Sequence, residues 1–196
     1  MRGLYAEIDA LAEAVEGLSP RGMCVVFGVC ERALSPLLRQ VEQRSQGSWA
    51  VSDLALAQDV IEAFATGRAE SGDHEGLRNQ LMVKVPGDHP WSTYGQDVLI
   101  CARGALAAAS TDDRPKPVLI QYALEPIMAF MEDRDADVIR QRGDAYWSEE
   151  IVKDPAMAAA MDFLQKVIAR ASENRQVDSA EFVELTEAGS VLRPEW

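Results

Sequence analysis

Along the first eighteen residues, Leu4, Ile8, Leu11, Val15 and Leu18 recur at spacings of four, three, four and three, with Glu7, Asp9, Glu13 and Glu16 on other faces. Apolar residues at that period share one side of a helix, so the segment predicts an amphipathic first helix. Ser19-Pro20 supplies an N-cap followed by the proline favoured in a first turn. Met23, Val26, Phe27, Cys30, Leu34, Leu37 and Leu38 then continue a broad apolar face. This second helix is expected to be largely buried, with Pro36 kinking or ending it, because proline has no N–H for the carbonyl four residues earlier.

The pattern resumes after Ser52, read as the cap of a third helix with Leu54, Leu56, Val60, Ile61 and Phe64 facing inward and Thr66-Gly67 closing it. A polar loop spans Ala69 to Gly76. Leu77 to Val85 fits a short helix or a short strand, and Pro86-Gly87-Asp88-His89-Pro90 is a turn. Trp91 to Ala109 reads as a small-residue helix. Val118 to Met131 reads as another, kinked at Pro126, after which Glu132-Asp133-Arg134-Asp135 returns the chain to solvent. Asp154-Pro155 starts a helix carrying Met157, Met161, Leu164 and Ile168 to about Asn174. Ser179 to Ala188 forms one more, stopped by Gly189, and residues 189–196 are expected to be an extended tail. Period-two alternation is never sustained. The fold class predicted is therefore all-α: one domain over residues 1–196, a bundle of roughly six to eight helices, some kinked by proline.

Charge narrows the function. The 19 basic against 32 acidic side chains give a formal −13, spread along the chain. Nucleic-acid binding and attachment to anionic membranes both draw on Lys and Arg, so neither is expected. A basic protein partner suits the charge, although an acidic surface also serves solubility. The N-terminal sequence carries acids where a signal peptide needs an apolar run, and the strongly apolar stretch Gly22 to Cys30 is far short of the roughly 20 residues of a spanning helix. A cytoplasmic location follows as an expectation. Cys24 and Cys30 on one helix would lie about 9 Å apart along its axis and face different directions. They are read, with Cys101, as reduced, buried, small apolar groups.

The chain has no phosphate-binding GxxxxGK[ST], no GxGxxG, no GxSxG and no HExxH, so no cofactor or metal is implied and an enzymatic role is not favoured. Both histidines sit in Gly-Asp-His triplets, Gly72-Asp73-His74 and Gly87-Asp88-His89, which are turn-forming. Glu125, Glu132 and Asp133 could face one another across the Pro126 kink, or form a solvated face. Glu31-Arg32 interrupts the most apolar helix, and charges there must be paired or border a cleft. Trp91, Tyr94 and Asp97 could line the same cleft, or Trp91 and Tyr94 could simply pack the preceding turn. Catalytic residues are unknown. The candidate cleft or interaction set is Glu31, Arg32, Trp91, Tyr94 and Asp97.

Cys30-Glu31-Arg32 in an apolar helix, Tyr94-Gly95 opening a small-residue helix and Asp154-Pro155-Ala156 opening a long one together resemble the YjaG-like family of bacterial proteins. The resemblance implies an all-helical fold of similar length and carries no assigned activity. Ala33-Leu34-Ser35-Pro36 and Cys101 depart from the family pattern.

Three functional readings follow. The first is a non-catalytic interaction protein, in its sharpest form an immunity-type or regulatory protein that meets a basic partner through an acidic surface; an acidic patch ringed by exposed aromatics would mark it. The second is a small-ligand binder or unclassified enzyme with a cleft near Glu31, Arg32, Trp91 and Tyr94, marked by a perturbed carboxylate. The third is a homo-oligomer, marked by an exposed stripe of Met157, Met161 and Leu164.

Overall fold

The structure, a computed structural model, describes residues 3–45, 51–82, 92–173 and 175–194. Helix α1 (Leu4–Glu16) buries Leu4, Ile8, Leu11 and Val15, the stripe that its periodicity requires. Helix α2 (Pro20–Ser45) is the central element, and residues 22–31 are buried without a break. It packs principally on α5 (Ser92–Ala109), with α3 (Val51–Ala65), α8 (Pro155–Ser172) and α9 (Ser179–Ala188) around its other sides. Ala102, Ala105 and Ala109 are fully buried on α5, so its backbone lies close to α2. The apolar residues of all these helices join one continuous cluster. Each fully buried large side chain in it, such as Phe27, Leu34 or Phe182, contributes about 1.5–3 kcal/mol relative to exposure.

Pro36 does not end α2. The carbonyl that Pro36 leaves without its amide partner is that of Arg32, and the Ser35 hydroxyl donates to it at 3.0 Å. The local hydrogen bond replaces the missing one, and the helix continues to Ser45.

Several expectations are corrected. Among the described residues there are nine α-helices and four 3-10 or π segments, more elements than six to eight. The excess arises between residues 117 and 153 and at residues 189–192. Val118 to Met131 is not a kinked helix: a 3-10 segment (Pro117–Ala123) precedes α6 (Glu125–Arg134), and Pro126 sits in the first turn of α6, where its missing N–H costs nothing. Beyond α6, α7 (Ala136–Arg142), a π-helical turn (Tyr146–Glu150) and a 3-10 turn (Ile151–Lys153) fill a stretch that lacked clear periodicity. Ser52 lies inside α3 rather than capping it, and Leu56 is 59% exposed.

Of the ambiguous segment Leu77 to Val85, residues 77–82 belong to helix α4 (Glu75–Met82), and residues 83–85 lie outside the described residues. The turn Pro86 to Pro90 and Trp91 lie outside the described residues. Residues 189–192 form a 3-10 turn rather than an extended tail, because Leu192 inserts into the core. Met157 and Leu164 are fully buried, so the stripe that would have marked a homo-oligomer is spent on the core. Among the described residues no helix is long and apolar enough to cross a membrane.

Candidate functional site

Adjacent residues on a helix point about 100° apart, so Glu31 and Arg32 serve different neighbours. Arg32 turns toward α3 and α9: Nη1 pairs with Glu62 Oε2 at 2.9 Å, Nη2 donates to the Gln58 carbonyl at 3.5 Å, and the guanidinium lies 5.8 Å from the Phe182 ring centre. This is a structural ion pair. Glu31 is only 1% exposed. Its Oε1 accepts from Gln58 Nε2 at 2.8 Å, and its Oε2 has no hydrogen-bond partner. Burial pushes its carboxyl up to about 7, against the opposing pull of the Gln58 bond and the Arg32 charge.

Across the interface, Tyr94, Asp97 and Cys101 stand three and four positions apart on one face of α5, and all three are buried. Asp97 is 2% exposed and its Oδ2 also lacks a partner. Burial first, and then the Glu125 charge, raise its carboxyl to about 8. Burial and then Asp133, Asp97 and Glu132 raise Tyr94 to about 12. Glu125 is itself raised by burial and by Glu132. Cys101 is raised by burial and by the fields of Cys30, Asp97 and Glu31.

The fold thus assembles two linked layers. Glu31, Cys30 and Cys101 lie in the α2–α5 contact, and the charges of Asp133, Asp97 and Glu132 act on Tyr94 while that of Glu125 acts on Asp97. No cation contributes to the shift of Asp97. A carboxylic acid in such surroundings holds its proton at neutral pH and can donate a hydrogen bond, or it can accept a cation that displaces the proton. Among the described residues no three His, Cys, Asp or Glu side chains converge as metal ligands.

Of the five candidate residues, the structure relates Glu31, Tyr94 and Asp97 through the α2–α5 contact and sends Arg32 to a separate ion pair. Trp91 lies outside the described residues. Sequence reading missed Gln58 and Glu62, which receive Glu31 and Arg32 on α3. Their signal was a polar i, i+4 pair on a helix read only for its apolar face. Also missed was the cluster in which Arg134 bonds Asp135 at 2.6 Å and Asp154 at 2.8 Å while the Tyr146 hydroxyl donates to Asp135 at 2.6 Å. Its members are spread over twenty residues and no spacing connects them. In the Gly72-Asp73-His74 triplet, read as turn-forming, Gly72 instead makes an isolated parallel bridge with Ser110, and Asp73 Oδ1 accepts from the Glu75 amide at 3.0 Å at the start of α4.

No protein-family model matches the chain, and no curated protein matches it. Among solved structures, the chain is similar to a DUF416 family protein from Shewanella baltica OS155, with a TM-score of 0.61, 11% sequence identity, and 91% of this chain and 92% of that one covered. At that identity the likeness shows the fold alone: an all-α architecture shared nearly end to end with a member of an uncharacterised bacterial family.

Proposed function

We propose that the protein is a non-catalytic interaction protein, of immunity or regulatory type, that binds a basic protein partner through an acidic face centred on α1. One observation carries the reading. Tyr5, Asp9, Glu13 and Glu16 are spaced four, four and three apart on the solvent side of α1 and are all exposed, Tyr5 by 62%. Helix α1 contains no basic residue, and none of its four acids has an ion-pair partner among the described residues. Acids left unpaired beside an exposed aromatic ring match the composition of a surface that steers and anchors a cationic partner.

The test is a pull-down at low and high salt with the natural chain and with a variant carrying Asp9→Lys, Glu13→Lys and Glu16→Lys. The expected result is one basic protein in stoichiometric amount, released as salt rises and absent with the variant. Recovery that is the same with both chains would remove α1 from the reading.

A second reading, a small-ligand binder or enzyme at the α2–α5 interface, is favoured by the unpartnered oxygens of Glu31 and Asp97. Both oxygens are covered, so a ligand would need that interface to open. Chemical shifts of α5 residues that respond to a ligand only in the natural chain, and not in Asp97→Asn, would support it.

A further inference from the structure

We infer that the cavity between the start of α2, the end of α3 and the end of α8 is a binding site for a small oxyanion, a phosphate or carboxylate group. The cavity holds about 360 Å³, the low end of the range for small-ligand sites. Arg21, Arg170 and Arg175 line it, with Ser19 and Gln176. Three guanidinium groups meet there, with Glu173 and Glu181 paired to Arg170 and Arg175, Glu70 standing 4.0 Å from Arg21, and the charge of Asp178 also acting on Arg170. These acids offset the arginines, so the case for an anion rests on the guanidinium donors that this pairing leaves unused.

The three arginines are not equivalent. Arg170 is saturated: it clamps Glu181 with two donors, pairs with Glu173 at 3.3 Å and donates to the carbonyls of Arg175 and Gln176. It acts as scaffold. Arg175 gives one nitrogen to Glu181 at 2.9 Å and keeps the rest of its guanidinium available. Arg21 donates weakly to the Ala69 carbonyl at 3.5 Å, stands 4.0 Å from the almost fully exposed Glu70, and keeps a buried Nε–H with no acceptor. Its guanidinium is held 5.2 Å from the Phe64 ring centre, so its placement is set before any ligand arrives. The Ser19 oxygen accepts from the Gly22 amide, which leaves its own proton to donate. Two partly unused guanidinium forks and a hydroxyl suit a planar or tetrahedral oxyanion that accepts paired hydrogen bonds.

Two glycines shape the walls. A Cβ on Gly22 would stand 2.9 Å from the Ala171 carbonyl, so only glycine lets α2 meet α8 this closely. Gly67 has φ +68°, and a Cβ there would overlap the Gln176 amide, which bonds the Thr66 carbonyl and fixes that side of the cavity. This site is separate from the acidic α1 face and does not depend on that reading.

The test is titration calorimetry of the full chain with inorganic phosphate and, separately, with succinate, beside Arg21→Gln, Arg175→Gln and the distant exposed Arg140→Gln. Saturable binding of at least one anion, weakened tenfold or more by Arg21→Gln and by Arg175→Gln but unchanged by Arg140→Gln, is the expected result. Preference for phosphate or for succinate identifies which group the site takes. No saturable binding of either up to about 10 mM, or equal binding by all variants, overturns the proposal. Thermal unfolding of each variant shows whether the chain is folded. If Arg21→Gln is not, Arg21→Lys replaces it, with a tenfold loss again expected because the planar fork is gone.

Discussion

Asp97 and Asp135 are the same residue type, each close to a buried tyrosine, and the fold drives them in opposite directions. Asp97 is held up at about 8 by burial and by Glu125, with no cation among the causes within the described residues. Asp135, bonded by Arg134 and by the Tyr146 hydroxyl, is held down at about 2. Both neighbouring tyrosines are raised: Tyr94 by burial followed by acidic fields, and Tyr146 by burial and the bond to Asp135. Burial in acidic surroundings protonates Asp97, whereas the partly exposed Asp135 is kept an anion by the hydrogen bonds from Arg134 and Tyr146. Helix α6 places Arg134 at its last turn, beside Asp135 and far along the helix from Glu125.

The largest expected effect is the response of stability to pH. Glu31 and Asp97 bind their protons more tightly in the folded than in the unfolded chain. Their stabilising contribution is therefore complete below about pH 4 and is lost as pH rises through about 7 for Glu31 and about 8 for Asp97. Urea unfolding at pH 5, 7 and 9 should show stability falling by several kcal/mol, on the order expected for shifts of this size. Asp97→Asn should flatten the curve and raise stability at pH 9. Stability that climbed with pH across this window would contradict the burial of these acids.

Asp135 works in the opposite direction: its contribution is present above about pH 4 and lost as pH falls through about 2. Arg134→Ala removes its cation and one bond to Asp154, and should cost about 1–2 kcal/mol at pH 7, allowing for the partial exposure of Arg134. The acid-unfolding midpoint should move upward with it. An unchanged midpoint would mean that Arg134 does not set the state of Asp135.

A smaller effect is expected for an acid held only by backbone amides. Asp178 caps α9 by accepting from the Glu181 amide at 2.9 Å, and Asp178→Ala should cost about 1 kcal/mol in thermal or urea unfolding. The smallest belongs to the exposed acids of α1. Glu13→Lys should change stability by less than about 0.5 kcal/mol, because no ion pair is lost, while abolishing or weakening capture of a basic partner. A large stability loss would reassign that face from binding to folding.

Much of the architecture was legible because it depends on local periodicity and on caps. The α1 stripe, the Ser19-Pro20 and Asp154-Pro155 helix starts and the Gly189 stop all recur in the structure, with Asp154 Oδ1 accepting from the Ala156 amide at 2.8 Å. The candidate site was legible only in part. Charges inside an apolar helix announced that Glu31 and Arg32 were constrained, but not that Arg32 would find Glu62 while Glu31 would find only an amide. The Arg21–Arg175 cavity gave no signal, since its walls come from residues more than 150 positions apart in the chain.

By itself the sequence determined that the chain is helical, acidic and built on one buried central helix, because helix formation, charge and apolar periodicity are properties of neighbouring residues. Tertiary structure alone decided which acids lost their water without gaining a cation, and which arginines kept donors to spare. Proton affinity and hydrogen-bond capacity depend on what lies a few ångströms away in space, and for Asp97, Glu31 and Arg21 that is set by helices distant in sequence.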